Sequence, residues 1–417
     1  MKLPAGWLIS IGLILAGASA QAVAAPDEKL KAAAEQAQPA LIETLHDMVM
    51  IESGSGDLEG LAKMADFTEA RLKALGARTE RRKTTRGAGA EMVIGTFEGT
   101  GRKKLMLIAH MDTVYQKGIL ASQPYHVDGK RIYGPGIADD KGGIAVILHA
   151  LKILNEAGWR DYATLTVSFN PDEEVGSIGS GEIIAALADR HDAVLSCEPT
   201  VAEPVAQNDS LLLGASGTAT ATMEVKGRAS HAGAAPELGR NALIELAHQL
   251  LQTRDVAKAI PGTQLNWTTA QAGTVRNQIP EKAVAGGDVR VTIADGVARL
   301  QAALDEKIKQ KLVPDTETSV KIEAGRPAFV AGEAGRAIAK QGQAIYAEID
   351  RRLDIAEMTG GATDAGYANR DGKAAVVESF GLAGFGYHAR DEYIDTGSIV
   401  PRLYLMTRIL TELGKDG

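Results

Sequence analysis

The chain has 417 residues, of which 45 are lysine or arginine and 53 are aspartate or glutamate, so its formal charge is −8. This acidic balance argues against a nucleic-acid partner, because nucleic-acid binding depends on basic groups that neutralise phosphates. The single cysteine, Cys197, excludes a disulfide within one chain, and the length favours two domains.

The first 25 residues are predicted to be a secretory signal peptide. They contain Lys2, an apolar stretch at about residues 7–16, and small residues at 18–24 that fit a cleavage site. The apolar stretch is shorter than the roughly 20 residues that a membrane-spanning helix needs. We therefore expect an exported protein, periplasmic or secreted, that has no membrane span once the signal peptide is removed.

Residues 26–215 alternate between helix-like and strand-like segments, which is typical of an α/β domain. Amphipathic stretches near 40–51 and 61–75 predict helices, and the apolar runs EMVIGTF and KKLMLIAH predict strands. The spacing in IAVILHALKILNEAG, which ends in a glycine, predicts a helix packed on a sheet. ATLTVSFN and DAVLSCEP predict two further buried strands, with a helix between them in GSGEIIAALADRH.

The pattern changes over residues 216–327, where a smaller α+β insert is expected. TATATMEVKG and AVAGGDVRVTIA predict strands, whereas PELGRNALIELAHQLLQTRD and GVARLQAALDEKIKQKL predict helices. The α/β character resumes over 328–417, with a helix in GEAGRAIAKQGQAIYAEI, a strand in KAAVVESFG and a closing helix from about Ile399. The simplest topology is one core that an insert interrupts.

Three of the predicted strands end in side chains that can bind a metal. LMLIAH ends in His110, LTVSFNPDEE leads to Glu173 and Glu174, and AVLSCE ends in Glu198. In open α/β sheets the ligand crevice lies outside the carboxyl ends of the strands, so we expect these side chains to meet. Each alone is compatible with a capped strand end or a polar turn, but together they favour a site.

Two glycine-rich segments add further acids and a histidine. GPGIADDKGG carries Asp139 and Asp140, and GFGYHARDEY carries His388. Asp112 follows His110 by two residues, where a carboxylate can orient a ligating imidazole. Two imidazoles and three carboxylates form a mixed nitrogen and oxygen set that favours zinc, cobalt or manganese. These five ligands fit two metals if one carboxylate bridges them.

Two neighbouring acids keep alternative interpretations. Asp140 is expected either to join the site or only to shape its turn. Asp172, which precedes the two glutamates, is equally compatible with a solvated acid and a supporting one.

Six motifs together resemble the co-catalytic zinc family of aminoacylases, dipeptidases, desuccinylases and glutamate carboxypeptidases: HMDTV, GPGIADDKGG, NPDEEVGS, LSCEP, GRASHAGAAPELGRNA and GYHARDEY. The glutamate carboxypeptidase branch is the best match, and the resemblance covers essentially the whole mature chain. It implies an α/β, mixed-sheet zinc-peptidase catalytic domain (26–215 and 328–417) with helices on both faces. A smaller, ferredoxin-like α+β dimerisation and lid domain (216–327) would interrupt it.

The resemblance also implies a role for each site residue. It implies five metal ligands in two sets that share one bridging carboxylate: His110, Asp139 and Glu198 on one Zn²⁺, and Asp139, Glu174 and His388 on the other. Glu173 would be the general base, and Asp112 would support His110.

Substrate contacts are implied by the same resemblance. His231 would come from the insert domain of the partner subunit and bind the substrate carbonyl oxygen, so a homodimer is expected. Arg326 is a candidate for the free carboxylate of the substrate, because a guanidinium binds a carboxylate as a fork. The remaining candidates for the substrate-facing wall could also be structural polar or turn residues: Asn277, Arg290, Gly360, Gly361 and Thr363.

We therefore expect a zinc metallocarboxypeptidase that releases a C-terminal amino acid, glutamate in the leading hypothesis, from peptides or folate-like N-acyl conjugates. Ser210 and Leu212 stand where the glutamate-releasing pattern has a lysine and a serine, and Ala362 replaces a glycine. An aminoacylase or dipeptidase with a different side-chain specificity is the alternative. A binding protein without turnover is disfavoured, because Glu173 and all five ligands are present.

Overall fold

The computed structural model describes residues 24–87, 89–200, 209–293 and 295–415. The predicted signal peptide at 1–25 lies outside these ranges except for its last two residues. Within the described ranges, no helix has the length and apolar character needed to span a membrane.

The described residues contain nine α-helices: α1 (Glu28–Val49), α2 (Leu58–Ala74), α3 (Lys141–Glu156), α4 (Gly181–Ala188), α5 (Ala242–Thr253), α6 (Gly296–Lys307), α7 (Glu333–Glu348), α8 (Ala365–Ala368) and α9 (Ile399–Gly414). Aspartate and asparagine side chains cap several of them. Asp27 accepts hydrogen bonds from two amides of the first turn of α1, and Asn241 does the same for α5. These caps satisfy amides that have no partner within the helix.

Twenty strands are present in the same ranges. They are β1 (Arg78–Lys83), β2 (Glu91–Glu98), β3 (Lys104–His110), β4 (His126–Asp128), β5 (Arg131–Tyr133), β6 (Thr164–Asn170), β7 (Ala193–Ser196), β8 (Ser210–Leu212), β9 (Gly214–Ala215), β10 (Gly217–Lys226), β11 (Ser230–His231), β12 (Thr263–Ala272), β13 (Gln278–Ile279), β14 (Lys282–Val291), β15 (Glu317–Ala324), β16 (Phe329–Val330), β17 (Asp354–Ala356), β18 (Ala375–Val377), β19 (Gly384–Phe385) and β20 (Tyr393–Asp395).

The largest sheet is mixed and has the strand order β1-β2-β6-β3-β7-β18. Strands β6, β3, β7 and β18 are parallel, whereas β1 and β2 pair antiparallel at one edge. Helices cover both faces. Leu72 of α2 lies beside Gly95 on one face, and His191, just after α4, contacts Thr166 on the other. This arrangement confirms the predicted α/β sheet with helices on both faces.

The insert forms a separate antiparallel sheet with the order β12-β14-β10-β15. Its chain order is β10-α5-β12-β14-α6-β15, which is a ferredoxin-like arrangement of two βαβ halves. The sheet and its two helices bury their own hydrophobic core, which includes Met223, Leu246, Ala285, Val289, Leu300 and Leu304. The expected smaller α+β unit within the α/β fold is therefore confirmed.

Several element boundaries differ from the sequence predictions. Helix α1 begins at Glu28 and not near 40, and the segment predicted as one helix over 236–255 begins with a 3-10 turn at Pro236–Leu238, with α5 starting at Ala242. No prediction covered β1, β12 or β15. These strands lie at sheet edges and carry many exposed polar residues, so they lack the apolar pattern on which strand prediction depends.

Candidate metal centre

The parallel strands bring the predicted ligands to one edge of the largest sheet. His110 is the last residue of β3, and Glu198 lies two residues beyond β7. Glu173 and Glu174 follow β6 in a 3-10 turn. Because parallel strands share one carboxyl edge, side chains far apart in sequence meet there.

Asp139 lies between the two histidines. Its Oδ1 is 2.9 Å from His110 Nε2, and its Oδ2 is 3.3 Å from His388 Nε2. His110 Nε2 is also 3.6 Å from Glu198 Oε1, and His388 Nε2 is 3.0 Å from Glu174 Oε2. The five expected ligands thus lie in two sets, with Asp139 facing both.

Glu173 lies among the predicted ligands. Its carboxylate belongs to a group with His110 and Glu198 in which the ligand atoms lie within 4.8 Å of one another. Asp139, Glu174 and His388 form the second such group. Glu173 therefore lies beside the first predicted metal position.

Asp112 organises the turn that carries the two glutamates. Its Oδ1 accepts a hydrogen bond from the Glu173 amide at 3.0 Å, and its Oδ2 accepts bonds from the Glu174 amide at 3.1 Å and Ser55 Oγ at 2.7 Å. His110 Nδ1 lies 3.0 Å from the Asp112 carbonyl oxygen and 3.4 Å from its carboxylate. The main-chain carbonyl is therefore the nearer partner of the imidazole, and the carboxylate also fixes both glutamates.

The two acids with open interpretations both shape turns. Asp140 is fully buried and accepts hydrogen bonds from the amides of His110 and Gly143, so it caps α3 beside the site. Asp172 accepts bonds from the Gly179 amide and the Ser180 hydroxyl. Each satisfies local backbone and side-chain donors.

The electrostatics of the cluster fit bound cations. Burial raises the pKa of Glu173 to about 8 and raises the pKa values of Glu174 and Glu198. Glu174 Oε1 is buried without a hydrogen-bond partner. Several carboxylates at one place stay ionised only where positive charge offsets their repulsion. The mixed histidine and carboxylate donors suit zinc or a similar divalent ion.

A cavity of about 660 Å³ opens beside the cluster. Five of the predicted substrate-facing residues line it: Arg290, Arg326, Gly360, Gly361 and Thr363. Leu212 also lines the cavity, whereas Ser210 is buried against Thr200. Of the three positions that depart from the glutamate-releasing pattern, Leu212 and Ala362 line the cavity and Ser210 does not.

Arg326 already holds a carboxylate of the protein. Its Nη1 lies 2.6 Å from Glu173 Oε1 and donates to the Ala362 carbonyl at 2.6 Å. Its Nη2 donates to the Glu173 carbonyl and, at 3.2 Å, to Ser177 Oγ. The guanidinium therefore fixes both the side chain and the main chain of Glu173.

His231 and Asn277 do not line the cavity. They lie at a small two-stranded ribbon, where β11 pairs with β13, and both are exposed. The Ala232 amide donates to the Asn277 carbonyl, and His231 Nδ1 accepts bonds from the amides of Gly233 and Ala234. The described part of this one subunit therefore keeps both residues away from the cluster.

Two buried glutamates near the site were missed by the sequence analysis. Glu378 directly follows β18, and its Oε1 accepts bonds from the amides of Ser379 and Glu198. The strand-end rule that identified Glu198 applied equally to this position. Glu392 accepts hydrogen bonds from the turn that carries Asp139, and its only sequence signal was its place in the GYHARDEY motif.

Comparison with known proteins gives a consistent result. A family model described as Peptidase family M20/M25/M40 matches residues 106–412. The chain is 47% identical over 389 residues to Carboxypeptidase G2 of Pseudomonas sp. (strain RS-16), which covers 93% of this chain and 92% of the relative. It is 30% identical over 293 residues to Acetylornithine deacetylase of Myxococcus xanthus, a match that covers 66% of this chain and 73% of the relative.

Solved structures show the same fold. A tripeptidase from Staphylococcus aureus superposes with a TM-score of 0.74 at 20% identity, covering 91% of this chain and 99% of that one. The metallo-carboxypeptidase Sso-CP2 from Sulfolobus solfataricus gives a TM-score of 0.73 at 16% identity, and the match covers 90% of this chain and 99% of that one. Together with the sequence matches, these observations establish that the chain belongs to the M20/M25/M40 peptidase family and is a zinc-dependent hydrolase.

Proposed function

We propose that the protein is an exported carboxypeptidase that uses two zinc ions to release a C-terminal glutamate from peptides or folate-like N-acyl conjugates. The observation that carries the glutamate proposal is the pair of arginines on the cavity wall. Among the described residues that line the cavity, Arg290 and Arg326 are the only ones with a lysine or arginine side chain. Two guanidinium groups match the two carboxylates of glutamate.

The ligand geometry supports two metal positions that share Asp139. His110, Asp139 and Glu198 would hold one zinc ion, and Asp139, Glu174 and His388 would hold the other. These residues would hold zinc where it would supply Lewis acidity to the scissile carbonyl and to water at neutral pH. Co²⁺ or Mn²⁺ would substitute for zinc, since the same nitrogen and oxygen ligands suit them.

Glu173 is proposed to move the proton. Its Oε1 is paired with Arg326 until the substrate carboxylate takes that place, and the Glu173 carboxylate would then accept a proton from water and pass it to the leaving nitrogen. A buried carboxylate beside the first predicted metal position is placed to take a proton from water and to give it to the leaving group. Asp112, through the Glu173 amide, holds the base in position.

The substrate carboxylate is proposed to compete with Glu173 for Arg326. The Glu173 carboxylate shows where a carboxylate binds this guanidinium, 2.6 Å from Nη1. Arg290 would receive the second carboxylate; its Nε pairs with Asp288 at 3.0 Å. Gly360, Gly361 and Thr363 would form the facing wall of the cavity.

A homodimer is proposed to complete the site. His231 and Asn277 are exposed and lie outside the cavity of their own subunit, which agrees with a role in the site of a partner subunit. There His231 would donate a hydrogen bond to the substrate carbonyl oxygen and stabilise the charge that develops on it. The insert over 216–327 is the proposed dimerisation domain.

Leu212 favours one alternative. Its apolar side chain lines the cavity, where the glutamate-releasing pattern has a polar residue. An aminoacylase or dipeptidase that prefers an apolar C-terminal side chain would use such a wall, because apolar surface gains free energy on burial.

Release of the free amino acid distinguishes these functions. N-acyl conjugates of glutamate, glutamine and leucine that share one acyl group should be compared at equal concentration, with and without a chelator. The proposal expects the glutamate conjugate to have the highest kcat/KM and the chelator to abolish release. A preference for leucine would support the alternative, and chelator-resistant release would contradict the metal-dependent reaction.

A further inference from the structure

Glu392 is a fully buried carboxylate that accepts four hydrogen bonds. Its Oε1 accepts bonds from the amides of Ala138 at 2.9 Å and Asp139 at 3.1 Å. Its Oε2 accepts bonds from the Gly136 amide at 2.8 Å and the Tyr115 hydroxyl at 2.7 Å. Each oxygen thus satisfies two donors, and none of these donors belongs to a metal-binding side chain.

These contacts connect three segments that carry or flank the predicted ligands. Gly136, Ala138 and Asp139 form the turn that presents the bridging carboxylate. Tyr115 follows the β3 segment of His110, and its hydroxyl oxygen also lies 2.8 Å from the Ala389 carbonyl oxygen. Glu392 itself lies four residues after His388, on the same connection between β19 and β20.

The connection around His388 needs such an anchor. His388 is exposed and has a left-handed backbone with φ of +64°, a conformation that is uncommon for a residue other than glycine. Asp139 is held at its amide by Glu392, while its side chain faces His388 at 3.3 Å. One carboxylate therefore links the backbone of one ligand to the chain segment of the other.

We infer that Glu392 is a positioning residue that sets the spacing between Asp139 and His388, and thereby the affinity of the metal position they share with Glu174. This inference rests on the proposed function only in taking these three residues as metal ligands. A partner of this kind orients ligands without touching the metal, and its loss typically weakens metal binding by about 10- to 100-fold.

Glutamine at this position cannot accept all the hydrogen bonds that the Glu392 carboxylate accepts. Both oxygens of Glu392 face backbone N–H groups, so the NH₂ group of a glutamine would meet at least one N–H donor whichever way the amide turned. An N–H group buried without an acceptor is costly. The turn that carries Asp139 would shift to relieve the conflict, and the distance between Asp139 and His388 would change.

The test compares metal affinity in Glu392→Gln with that of a matched control. Glu245, in the α+β insert, is also fully buried and accepts hydrogen bonds from two backbone amides, those of Leu312 and Val313. Full-length wild type, Glu392→Gln and Glu245→Gln should be stripped of metal and titrated with Zn²⁺ against a chromophoric chelator. Circular dichroism would verify the fold of each variant.

We expect Glu392→Gln to lose about 10- to 100-fold in affinity for the weaker metal position, while Glu245→Gln binds as the wild type does. Equal affinity in wild type and Glu392→Gln would overturn the positioning role, as would an equal loss in both variants. Should Glu392→Gln not fold, Tyr115→Phe, which removes one donor to Glu392 and keeps its three backbone donors, decides the question. A loss of several-fold in its zinc affinity supports the role, and unchanged affinity rejects it.

These outcomes are separable from the fate of the proposed function. Wild type that binds two zinc ions without releasing glutamate would refute the substrate proposal and leave the role of Glu392 standing. Glutamate release by wild type, together with unchanged zinc affinity in Glu392→Gln, would refute the role of Glu392 alone.

Discussion

Replacing Arg326 with glutamine tests how the enzyme recognises the end of its substrate. Arg326 is almost fully buried, and its guanidinium binds the Glu173 carboxylate at 2.6 Å. We propose that the substrate carboxylate takes this place on binding. Glutamine keeps much of the volume of the side chain but lacks the charge and the two-pronged donor geometry.

The expected loss follows from the interaction removed. A hydrogen bond to a charged group contributes about 1.5–3 kcal/mol, and 1.4 kcal/mol corresponds to a factor of about ten. For an N-acyl-glutamate, kcat/KM should therefore fall by roughly 10- to 150-fold. The same conjugate with its α-carboxylate converted to an amide should lose much less, because it cannot use the guanidinium.

The ratio of kcat/KM for the acid and the amide is the quantity to measure. Arg408→Gln is the control, since Arg408 is largely buried, pairs with Glu348 at 3.0 Å and does not line the cavity. This control should leave the ratio unchanged. If Arg326→Gln lowered both substrates by the same factor, Arg326 would act only by holding Glu173, and the proposed competition for its guanidinium would be wrong.

Three further predictions concern the dimer, acid stability and specificity. Mixed dimers of Glu173→Gln and His231→Ala subunits should regain activity that neither parent has, because one site then receives both residues; no gain on mixing would place His231 in the site of its own subunit. Burial lowers the pKa of His149 to about 4 in the folded state, whereas the unfolded chain keeps the ordinary histidine value of about 6.5. As the pH falls, the unfolded state therefore binds the proton first, and the free energy of unfolding decreases by up to about 3 kcal/mol at pH 4. Denaturant titrations at pH 7.5 and 4.5 should show a smaller decrease for His149→Gln than for wild type or for the exposed-site control His46→Gln, and equal decreases would contradict the assignment. Leu212→Lys should raise the preference for N-acyl-glutamate over N-acyl-leucine in kcat/KM by about tenfold, as one added ion pair would, and an unchanged preference would show that Leu212 does not contact the side chain of the released residue.

Much of the candidate metal centre was predictable because it depends on strand direction. His110 and Glu198 lie at the carboxyl ends of parallel strands, and the two glutamates follow a third. An apolar run that ends in a potential ligand is visible in sequence, and the parallel sheet then brings such ends together. Glu378 obeys the same rule, because it follows β18 within the predicted strand KAAVVESFG, but it was not recognised as a residue near the site.

Contacts between distant segments could not be predicted in the same way. The pairing of Arg326 with Glu173 joins residues 153 positions apart, and the four donors of Glu392 come from two different turns. Such contacts depend on how loops pack after the sheet forms, and loop conformation leaves no periodic pattern in the sequence. Edge strands β1 and β15 were missed for a related reason, since their polar residues hide the alternation of a buried strand.

The central claim is that the adjacent acids Glu173 and Glu174 have different roles, one as base and one as ligand. Zinc content and turnover should be measured together on purified wild type, Glu173→Gln and Glu174→Gln. We expect two zinc ions per wild-type subunit, both retained in Glu173→Gln with turnover reduced at least about 100-fold, and zinc lost first in Glu174→Gln. Retention of both zinc ions and full turnover in both variants would contradict the account.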